Sequence, residues 1–175
     1  MLLSVRDLGI KKISFDEAFS AGKVDLQETS FRVANQLRLT GSAELLPGTG
    51  EIRVRGHISG GLEGDCNRCL APTPLAVDED FDLYYRPSLT DPEAAEVELD
   101  EDDTGVGYYE GEGVETADIA REQTLLLLPL QWICREECKG ICPVCGGNLN
   151  RVNCECRSEA TDDRWSALRD FHPSK

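Results

Sequence analysis

Six of the chain's eight cysteines lie in one short stretch, residues 134–156, which reads CREECKGICPVCGGNLNRVNCEC. All eight fall into four closely spaced pairs: Cys66 with Cys69, Cys134 with Cys138, Cys142 with Cys145, and Cys154 with Cys156. Two thiolates three positions apart bind one metal ion when the backbone turns tightly, and the glycines after Cys145 allow the positive φ that such a turn needs. The pattern therefore predicts zinc knuckles.

Three other kinds of thiol chemistry compete with zinc. Disulfides are disfavoured because the N-terminal sequence lacks the apolar segment and cleavage site of a secretory signal. We therefore expect a cytoplasmic location, where thiols stay reduced. A CxxC redox motif normally opens a helix, whereas CNRC lies between two predicted strands and CPVCGG runs into a loop. An iron–sulfur cluster accepts the same cysteines, and spacing alone leaves it open.

The thiols divide into metal sites in more than one way. The simplest division has two sites of four thiols: Cys142, Cys145, Cys154 and Cys156 in one, and Cys66, Cys69, Cys134 and Cys138 in the other. That second set would fasten the upstream strands to the C-terminal segment. A rival division has one site and leaves several thiols free. Four cysteine ligands leave no open position for water or substrate, so the zinc, as one or two ions, is expected to be structural.

The chain offers few other groups for catalysis. Its two histidines are His57, on a predicted strand, and His172, near the C-terminus, and neither has an obvious nucleophile or acid partner. The motifs GxxxxGK(S/T), HExxH and GxSxG are absent from the sequence. No apolar stretch is long enough to span a membrane. We therefore expect a protein that is not an enzyme and has no small-molecule substrate.

The residues upstream of the cysteine-rich stretch alternate between apolar and polar side chains. Residues 31–39, 51–58 and 75–85 show this period of two, with short connections between them. The pattern predicts a small antiparallel β-meander or partial barrel with one buried face. A further strand is expected near 12–15 and a short helix near 16–19.

Composition divides the chain into three parts and indicates an α+β fold class. Residues 1–86 form a predicted β-rich domain that includes the CNRC knuckle. Residues 87–117 are rich in Pro, Gly and acidic residues and are predicted to be a flexible loop. Residues 118–175 are predicted to hold a helix capped by Asp118, the zinc segment and a short helix at 162–171. We expect this last part to pack on the first domain.

The net charge of −15 comes almost entirely from residues 87–120, which carry twelve acidic groups and no Lys or Arg. An acidic balance argues against nucleic-acid binding by the chain as a whole, but it leaves a local RNA-binding face open. The acidic segment itself has two interpretations. It is a solvated loop, or it is a surface that docks a basic partner.

Four arginines lie on the outward face of adjoining predicted strands: Arg32, Arg38, Arg53 and Arg55. A row of arginines on a sheet is able to bind RNA phosphates. The alternative is cross-strand charge pairing. The expected register places Leu45 opposite Ile52, and in the same register Arg53 faces Glu44.

These pieces together resemble the YceD family, the large ribosomal RNA subunit accumulation proteins of bacteria and plant organelles. The matching pieces follow the family's order: CNRCL at 66–70, REQTLLLLPL at 121–130, the cysteine-rich stretch at 134–156, and DDRWSALRDF at 162–171. The resemblance implies a role in the accumulation or maturation of large-subunit rRNA, and hence in ribosome biogenesis. It also implies partners among precursor large-subunit rRNA and basic large-subunit ribosomal proteins.

The expected function is that of a bacterial, cytoplasmic, zinc-binding ribosome assembly factor. Two binding modes are open: the arginines or the zinc segment contact rRNA, or the acidic segment shields a basic ribosomal protein as a chaperone. Two alternatives use the thiols differently, as a zinc carrier for ribosomal proteins or as a thiol oxidoreductase built on Cys142 and Cys145. The carrier needs fast metal exchange, and the oxidoreductase needs an accessible thiolate of low pKa.

Overall fold

The computed structural model describes residues 1–26, 29–88 and 105–156. The elements within these ranges are β1 (Leu2–Ser4), α1 (Val5–Leu8), β2 (Ile13–Ser20), β3 (Phe31–Leu45), β4 (Ile52–Asp65), β5 (Pro72–Pro87), β6 (Val106–Tyr109), β7 (Gly113–Glu115) and α2 (Thr116–Leu127). The helix predicted at 162–171 lies outside the described residues, as do most acidic residues of the segment 87–117.

Five strands form one sheet in the order β2-β3-β4-β5-β6. The first three pairings are antiparallel, as the alternating sequence predicts, but β6 runs parallel to β5. The sheet is therefore mixed rather than wholly antiparallel, and the described strands do not close into a barrel. A parallel pair needs a long connection, and the chain between Pro87 and Val106 supplies it.

The register between β3 and β4 is the one expected from the sequence. Leu45 pairs with Ile52, and Glu44 pairs with Arg53. Ile52 and Val54 are 0% exposed, because a period of two directs alternate side chains of β4 to the buried face. The same period places the arginines of this strand on the opposite, outer face.

Helix α2 shares the core of the sheet, since Ile119 and Ala120 are fully buried among residues of β3 and β4. The helix begins before the predicted cap Asp118, and no side chain caps its first turn. A tertiary contact holds this start instead, because the Thr116 backbone N–H donates to the Met1 carbonyl over 2.9 Å. In the described part of the chain, no helix is long and apolar enough to cross a membrane.

The N-terminal region differs from the sequence prediction. A strand is present, but β2 continues through residues 16–19, where a short helix is expected. Phe15 and Phe19 are both buried, and their even spacing suits one face of a strand. The first helix is α1 instead, where the Ser4 hydroxyl accepts a hydrogen bond from the Asp7 N–H over 3.1 Å.

Two strands lie within the segment 87–117, which the sequence predicts to be a flexible loop. β6 pairs with β5, and β7 pairs with β1. Tyr109 of β6 is 8% exposed, and its hydroxyl donates to the Gly50 carbonyl over 2.9 Å. Val114 of β7 is also buried. These few apolar side chains order the end of the segment, and its acidic average composition conceals them.

Candidate metal centres

The first cysteine cluster consists of Cys66, Cys69, Cys134 and Cys138, and it joins the sheet to the C-terminal segment. Cys66 and Cys69 lie in the connection from β4 to β5, whereas Cys134 and Cys138 follow α2. The Cys66 Sγ lies 3.9 Å from the Cys138 Sγ, and the Cys69 Sγ lies 3.7 Å from the Cys134 Sγ. The cluster thus brings together thiols that are 65 to 72 residues apart.

The second cysteine cluster consists of Cys142, Cys145, Cys154 and Cys156, and it is local in sequence. In each cluster the four sulfur atoms lie within 4.8 Å of one another. Cys142 is 4% exposed, whereas Cys145 and Cys156 lie at the surface. The eight predicted ligands therefore form two groups of four, each able to hold a metal ion.

Both CxxC pairs adopt the same turn. The Leu70 N–H donates to the Cys66 carbonyl over 2.9 Å, and the Gly146 N–H donates to the Cys142 carbonyl over 2.9 Å. The residue after the second cysteine has a positive φ in each pair, 57° for Leu70 and 71° for Gly146. The glycine expected from the CPVCGG sequence is therefore where the turn needs it. At the other pair a leucine takes this unfavourable conformation.

The sulfur positions of the first cysteine cluster fit a single tetrahedral ion. Four sulfur atoms at about 2.3 Å from one Zn²⁺ lie about 3.8 Å from each other. The separations of 3.7 and 3.9 Å in the first cysteine cluster agree with that arrangement. They exceed the disulfide bond length of about 2.05 Å. All eight cysteines are free thiols in this structure.

Backbone N–H groups point at one sulfur atom in each cluster. The Cys134 N–H donates to the Cys66 Sγ over 3.3 Å, and the Val144 N–H donates to the Cys142 Sγ over 3.4 Å. Burial raises the pKa of Cys66, but backbone donors led by Cys134 outweigh it and bring that pKa to about 6. Backbone donors from Cys145 and Val144 lower the pKa of Cys142 to about 6. Burial raises the pKa of Cys138 as well, but donors led by the Gly140 backbone N–H outweigh it and lower that pKa. Each cluster thus contains at least one thiol that favours the thiolate form.

Other thiols of each cluster hold their protons more firmly. Burial and hydrogen bonds to neighbouring thiols raise the pKa of Cys134 to about 12. A hydrogen bond with Cys145, together with burial, raises the pKa of Cys156 to about 12. Further thiolates beside the first are repelled by its charge, so a cation is needed before all four ionise. A divalent ion inside each cluster would supply that charge.

Sequence reasoning missed two asparagines beside the ligands, Asn148 and Asn150. The Asn150 Nδ2 donates to the Cys138 Sγ over 3.3 Å, and the Asn148 Nδ2 donates to the Cys69 carbonyl over 3.4 Å. The one available signal was their position in GGNLN, between two cysteine pairs. In sequence both asparagines lie among the ligands of the second cysteine cluster, but they contact ligands of the first. The order of residues along the chain does not reveal these contacts.

All four arginines predicted to bind RNA make ion pairs with neighbouring carboxylates. The pairs are Arg32 with Glu63 and Asp65, Arg38 with Asp16, Arg53 with Asp82, and Arg55 with Glu44. Arg38 donates to both Asp16 oxygens, over 2.9 and 2.7 Å, and its hydrogen bond lowers the pKa of that carboxyl. The geometry favours the cross-strand pairing alternative for these four side chains.

Neither histidine joins a metal site within the described residues. The His57 Nδ1 lies 2.8 Å from Asp80 Oδ1, and its Nε2 lies 3.1 Å from Asp78 Oδ1. Both carboxylates are on the neighbouring strand β5, so His57 takes part in the same surface charge pairing as the arginines. His172 lies outside the described residues.

The described residues combine a mixed sheet with two clusters of four cysteines, the arrangement of a protein with knuckle-type metal-binding sites. More narrowly, the chain belongs to the YceD family. The model of this family, described as "Large ribosomal RNA subunit accumulation protein YceD", matches residues 54–172. The match begins within β4 and includes all eight cysteines. The family description thus concerns the accumulation of large-subunit rRNA.

The chain is also similar to uncharacterized proteins of Mycobacterium bovis and Mycobacterium tuberculosis. Identity to each is 32% over 121 residues, which are 67% of this chain and 54% of the relative. The chain therefore spans about half the length of the curated relatives that it matches. No solved structure gives a significant match.

Proposed function

We propose that the protein is a non-enzymatic, zinc-binding ribosome assembly factor that acts in the bacterial cytoplasm. It supports the accumulation or maturation of large-subunit rRNA. The observation that carries this proposal is the family match over residues 54–172, the region that contains both cysteine clusters. The metal fixes the shape of the C-terminal segment, and that segment contacts the assembling subunit.

Zinc suits both clusters because of the donor set. Tetrahedral sites made of four thiolates are typical of zinc or of iron–sulfur centres. An iron–sulfur centre places several irons and sulfides among the cysteines. Sulfur atoms that all lie within 4.8 Å of one another favour a single ion. Bound zinc would cross-link the chain, and its four thiolate ligands would leave no coordination position open for a substrate.

The thiol arrangement also bears on the oxidoreductase alternative. The thiol of lowered pKa in the CPVC pair is Cys142, which is 4% exposed. A redox nucleophile needs a thiolate that its substrate disulfide can reach. The exposed Cys156 is instead held protonated by a pKa of about 12. The arrangement supports metal binding over thiol exchange.

The RNA-facing surface that we propose lies in the zinc segment rather than on the sheet. Four exposed cations around the clusters make no ion pair with any described residue: Arg68, Arg135, Lys139 and Arg151. Arg135 and Arg151 line one depression of about 300 Å³ beside the first cysteine cluster. Unpaired cations bind phosphate without first losing a protein carboxylate, so they are the stronger candidates for RNA contact.

The sharpest test compares two double substitutions that remove equal charge. Lys139→Gln with Arg151→Gln removes cations of the zinc segment, and Arg53→Gln with Arg55→Gln removes cations of the sheet. The probe is a transcript of precursor large-subunit rRNA, bound at several salt concentrations. We expect the first pair to weaken binding about tenfold and to lower the salt slope by about 1.4, and the second pair to do little.

Two outcomes would separate the parts of this proposal. An equal loss from both pairs would mean that the sheet contacts RNA as well as the zinc segment, and a loss from the sheet pair alone would place the RNA contact on the sheet. A loss of bound metal in the Lys139→Gln, Arg151→Gln protein means that these cations neutralise the negatively charged metal–thiolate clusters instead. The family role is measured separately, as the level of mature large-subunit rRNA in cells depleted of the protein.

A second candidate function, an acidic chaperone for a basic ribosomal protein, has its own support. A cavity of about 560 Å³ between β6, β7 and α2 is lined by five carboxylates: Glu110, Glu112, Glu115, Asp118 and Glu122. Arg121 is the one cation of that lining, and its Nε donates to the Asp25 carbonyl over 2.9 Å. Such a surface attracts lysine- or arginine-rich partners.

The chaperone candidate is tested by Glu110→Gln with Glu112→Gln and, separately, by replacing the acidic residues between 91 and 103 with their amides, which keeps the long connection that the parallel pair of β5 and β6 needs. Each protein is used to capture proteins from growing cells with and without nuclease. Loss of a basic ribosomal protein with RNA binding intact supports the chaperone. Unchanged capture leaves RNA contact as the better account.

A further inference from the structure

The turn that contains GGNLN lies between the two cysteine clusters and touches both. Its Asn150 amide makes four hydrogen bonds. The Oδ1 accepts from Arg135 Nη2 over 2.9 Å and from the Lys139 backbone N–H over 3.0 Å. The Nδ2 donates to the Cys138 Sγ over 3.3 Å and to Asn148 Oδ1 over 3.0 Å. The Asn150 side chain thus hydrogen-bonds both to the residues around Cys138 and to the Cys138 sulfur atom.

The same turn is bound to the second cysteine cluster through the backbone. The Cys142 N–H donates to the Gly147 carbonyl over 2.8 Å, and Ile141 forms a bridge with Asn148. In sequence the turn lies between Cys145 and Cys154, two ligands of the second cysteine cluster. A metal ion held by those two thiols closes the loop that presents the asparagines.

We propose that Asn150 is a positioning residue that couples the two metal sites. Metal at the second cysteine cluster fixes the loop, and the loop holds the Asn150 amide against the Cys138 sulfur. The first cysteine cluster then binds its metal more tightly. Because coupling between two binding sites is reciprocal, metal at the first cluster strengthens binding at the second by the same factor. The inference rests on the proposed function only in assuming that both clusters hold metal.

The amide group is what this role needs. Its Nδ2 supplies a donor to a sulfur atom that is charged when metal is bound, and such outer contacts typically change metal affinity by about 10- to 100-fold. An aspartate at position 150 keeps the acceptor for Arg135 and Lys139 but loses the donor to Cys138. It also places a negative charge beside a thiolate. A residue that merely shapes the turn would tolerate aspartate, whereas the coupling role would not.

The test is a double-substitution cycle on the full-length chain. The four proteins are the wild type, Asn150→Ala, Cys145→Ser with Cys156→Ser, and the combination of all three substitutions. The probe is Zn²⁺ at buffered free concentrations. Site-resolved occupancy is measured by mass spectrometry as protection of Cys66 and Cys138 from alkylation.

We expect Asn150→Ala to weaken the first cluster's affinity by 10- to 100-fold, and the double serine change to weaken it by about tenfold. The combined protein should be no weaker than Asn150→Ala, because the connection is already lost. The first cluster of the Asn150→Asp protein should bind zinc more weakly than that of the Asn150→Ala protein. Asn153→Ala, an exposed asparagine in the same segment, is the control and should leave the affinity unchanged.

Three results would overturn the coupling. One is an effect of the double serine change that adds fully to that of Asn150→Ala. Another is a zinc affinity of the first cluster that stays unchanged when the second cluster is removed. The third is Asn150→Asp behaving like the wild type, which would leave Asn150 as a turn residue only. If both clusters of the wild type bind metal but show no coupling, only this inference is wrong. If neither cluster of the wild type binds metal, the zinc proposal is wrong as well.

Discussion

The two cysteine clusters share a knuckle turn but differ in what they hold together. The first joins positions 65 to 72 residues apart, and three of its four thiols are buried. The second joins positions within one short segment, and two of its thiols are exposed. A link across a long loop restricts the unfolded chain more than a link across a short one. We therefore propose that the two ligand sets have different roles: metal at the first cluster would stabilise the fold, and metal at the second would shape a surface.

The largest expected effect comes from breaking the first cysteine cluster. Cys138→Ser removes a ligand between the sheet and the C-terminal segment, and it should lower the free energy of unfolding by about 4 kcal/mol or more. Cys156→Ser is the matched control in the second cysteine cluster and should lower the free energy of unfolding of the sheet by at most about 1.4 kcal/mol, which corresponds to the tenfold loss of first-cluster affinity expected from coupling. Denaturant titration of the metal-loaded proteins measures both.

The reporter for that experiment is Trp132, whose ring centroid lies 6.3 Å from that of Phe31 on β3. Its indole N–H also donates to the Thr73 carbonyl over 3.3 Å, so its fluorescence follows contact with the sheet. The chain has two tryptophans, so a Trp165→Phe background isolates this signal. Equal destabilisation by the two serine substitutions would remove the distinction between the clusters.

A second difference concerns the ease of losing metal. A strong chelator should empty the second cysteine cluster about tenfold faster or more, because exposed sites open locally at low free-energy cost. Pulsed alkylation read by mass spectrometry should label Cys145 and Cys156 well before Cys66. If the buried thiols are labelled first or at the same rate, burial does not control metal loss. The zinc carrier alternative gains support only if the second cluster also passes its metal to a ribosomal protein.

Protons compete with metal in both clusters, and the pKa values fix the direction. In the metal-free protein Cys66 and Cys142, with pKa values of about 6, are ionised near neutral pH. Cys134 and Cys156, with pKa values of about 12, still carry protons. Metal binding at neutral pH should thus release at least about two protons per chain.

Calorimetry in buffers of different ionisation enthalpy counts these protons. As the pH falls through about 6, Cys66 and Cys142 gain protons as well, so metal affinity should drop more steeply below that pH. Binding that releases no protons and has a flat pH dependence would contradict thiolate ligation.

The smallest expected effect compares the two knuckle turns. Leu70 is 64% exposed and has a φ of 57°, so Leu70→Gly loses little burial and relieves an unfavourable backbone conformation. We expect it to raise the free energy of unfolding by about 0.5 kcal/mol, after the entropy cost of glycine. Gly146→Ala places a side chain at a φ of 71° and should lower that free energy by about 1 kcal/mol. Thermal unfolding in saturating zinc measures both changes, and a destabilising Leu70→Gly would show that the leucine side chain is needed there.

Much of the fold follows from local sequence patterns. The period of two in β3 and β4 predicts the register of Leu45 with Ile52, and cysteine spacing predicts four pairs of thiols, with two groups of four as the simplest division. The register depends on residues near each other in sequence, and the thiol groups depend on the strong preference of paired cysteines for metal. The parallel strand β6 depends on neither, because Tyr109 is ordered by a contact with Gly50. No local pattern encodes such a pairing.

The charged residues show the same limit. The sequence places Arg53 and Arg55 on the outer face correctly, but their use depends on which carboxylates lie across the sheet. Arg53 pairs with Asp82 on β5 rather than with Glu44, its opposite residue on β3. Asn150 is harder to predict, since its side chain donates a hydrogen bond to a sulfur atom 12 positions away in the sequence.

We propose that the chain holds two zinc ions and that the first ion joins the sheet to the C-terminal segment. The most direct measurement is native mass spectrometry of the purified protein, with elemental analysis to identify the metal. We predict two zinc ions per chain, and one in the Cys145→Ser, Cys156→Ser protein with its sheet intact. One ion in the wild type, iron in place of zinc, or an intact fold with no metal would contradict the account.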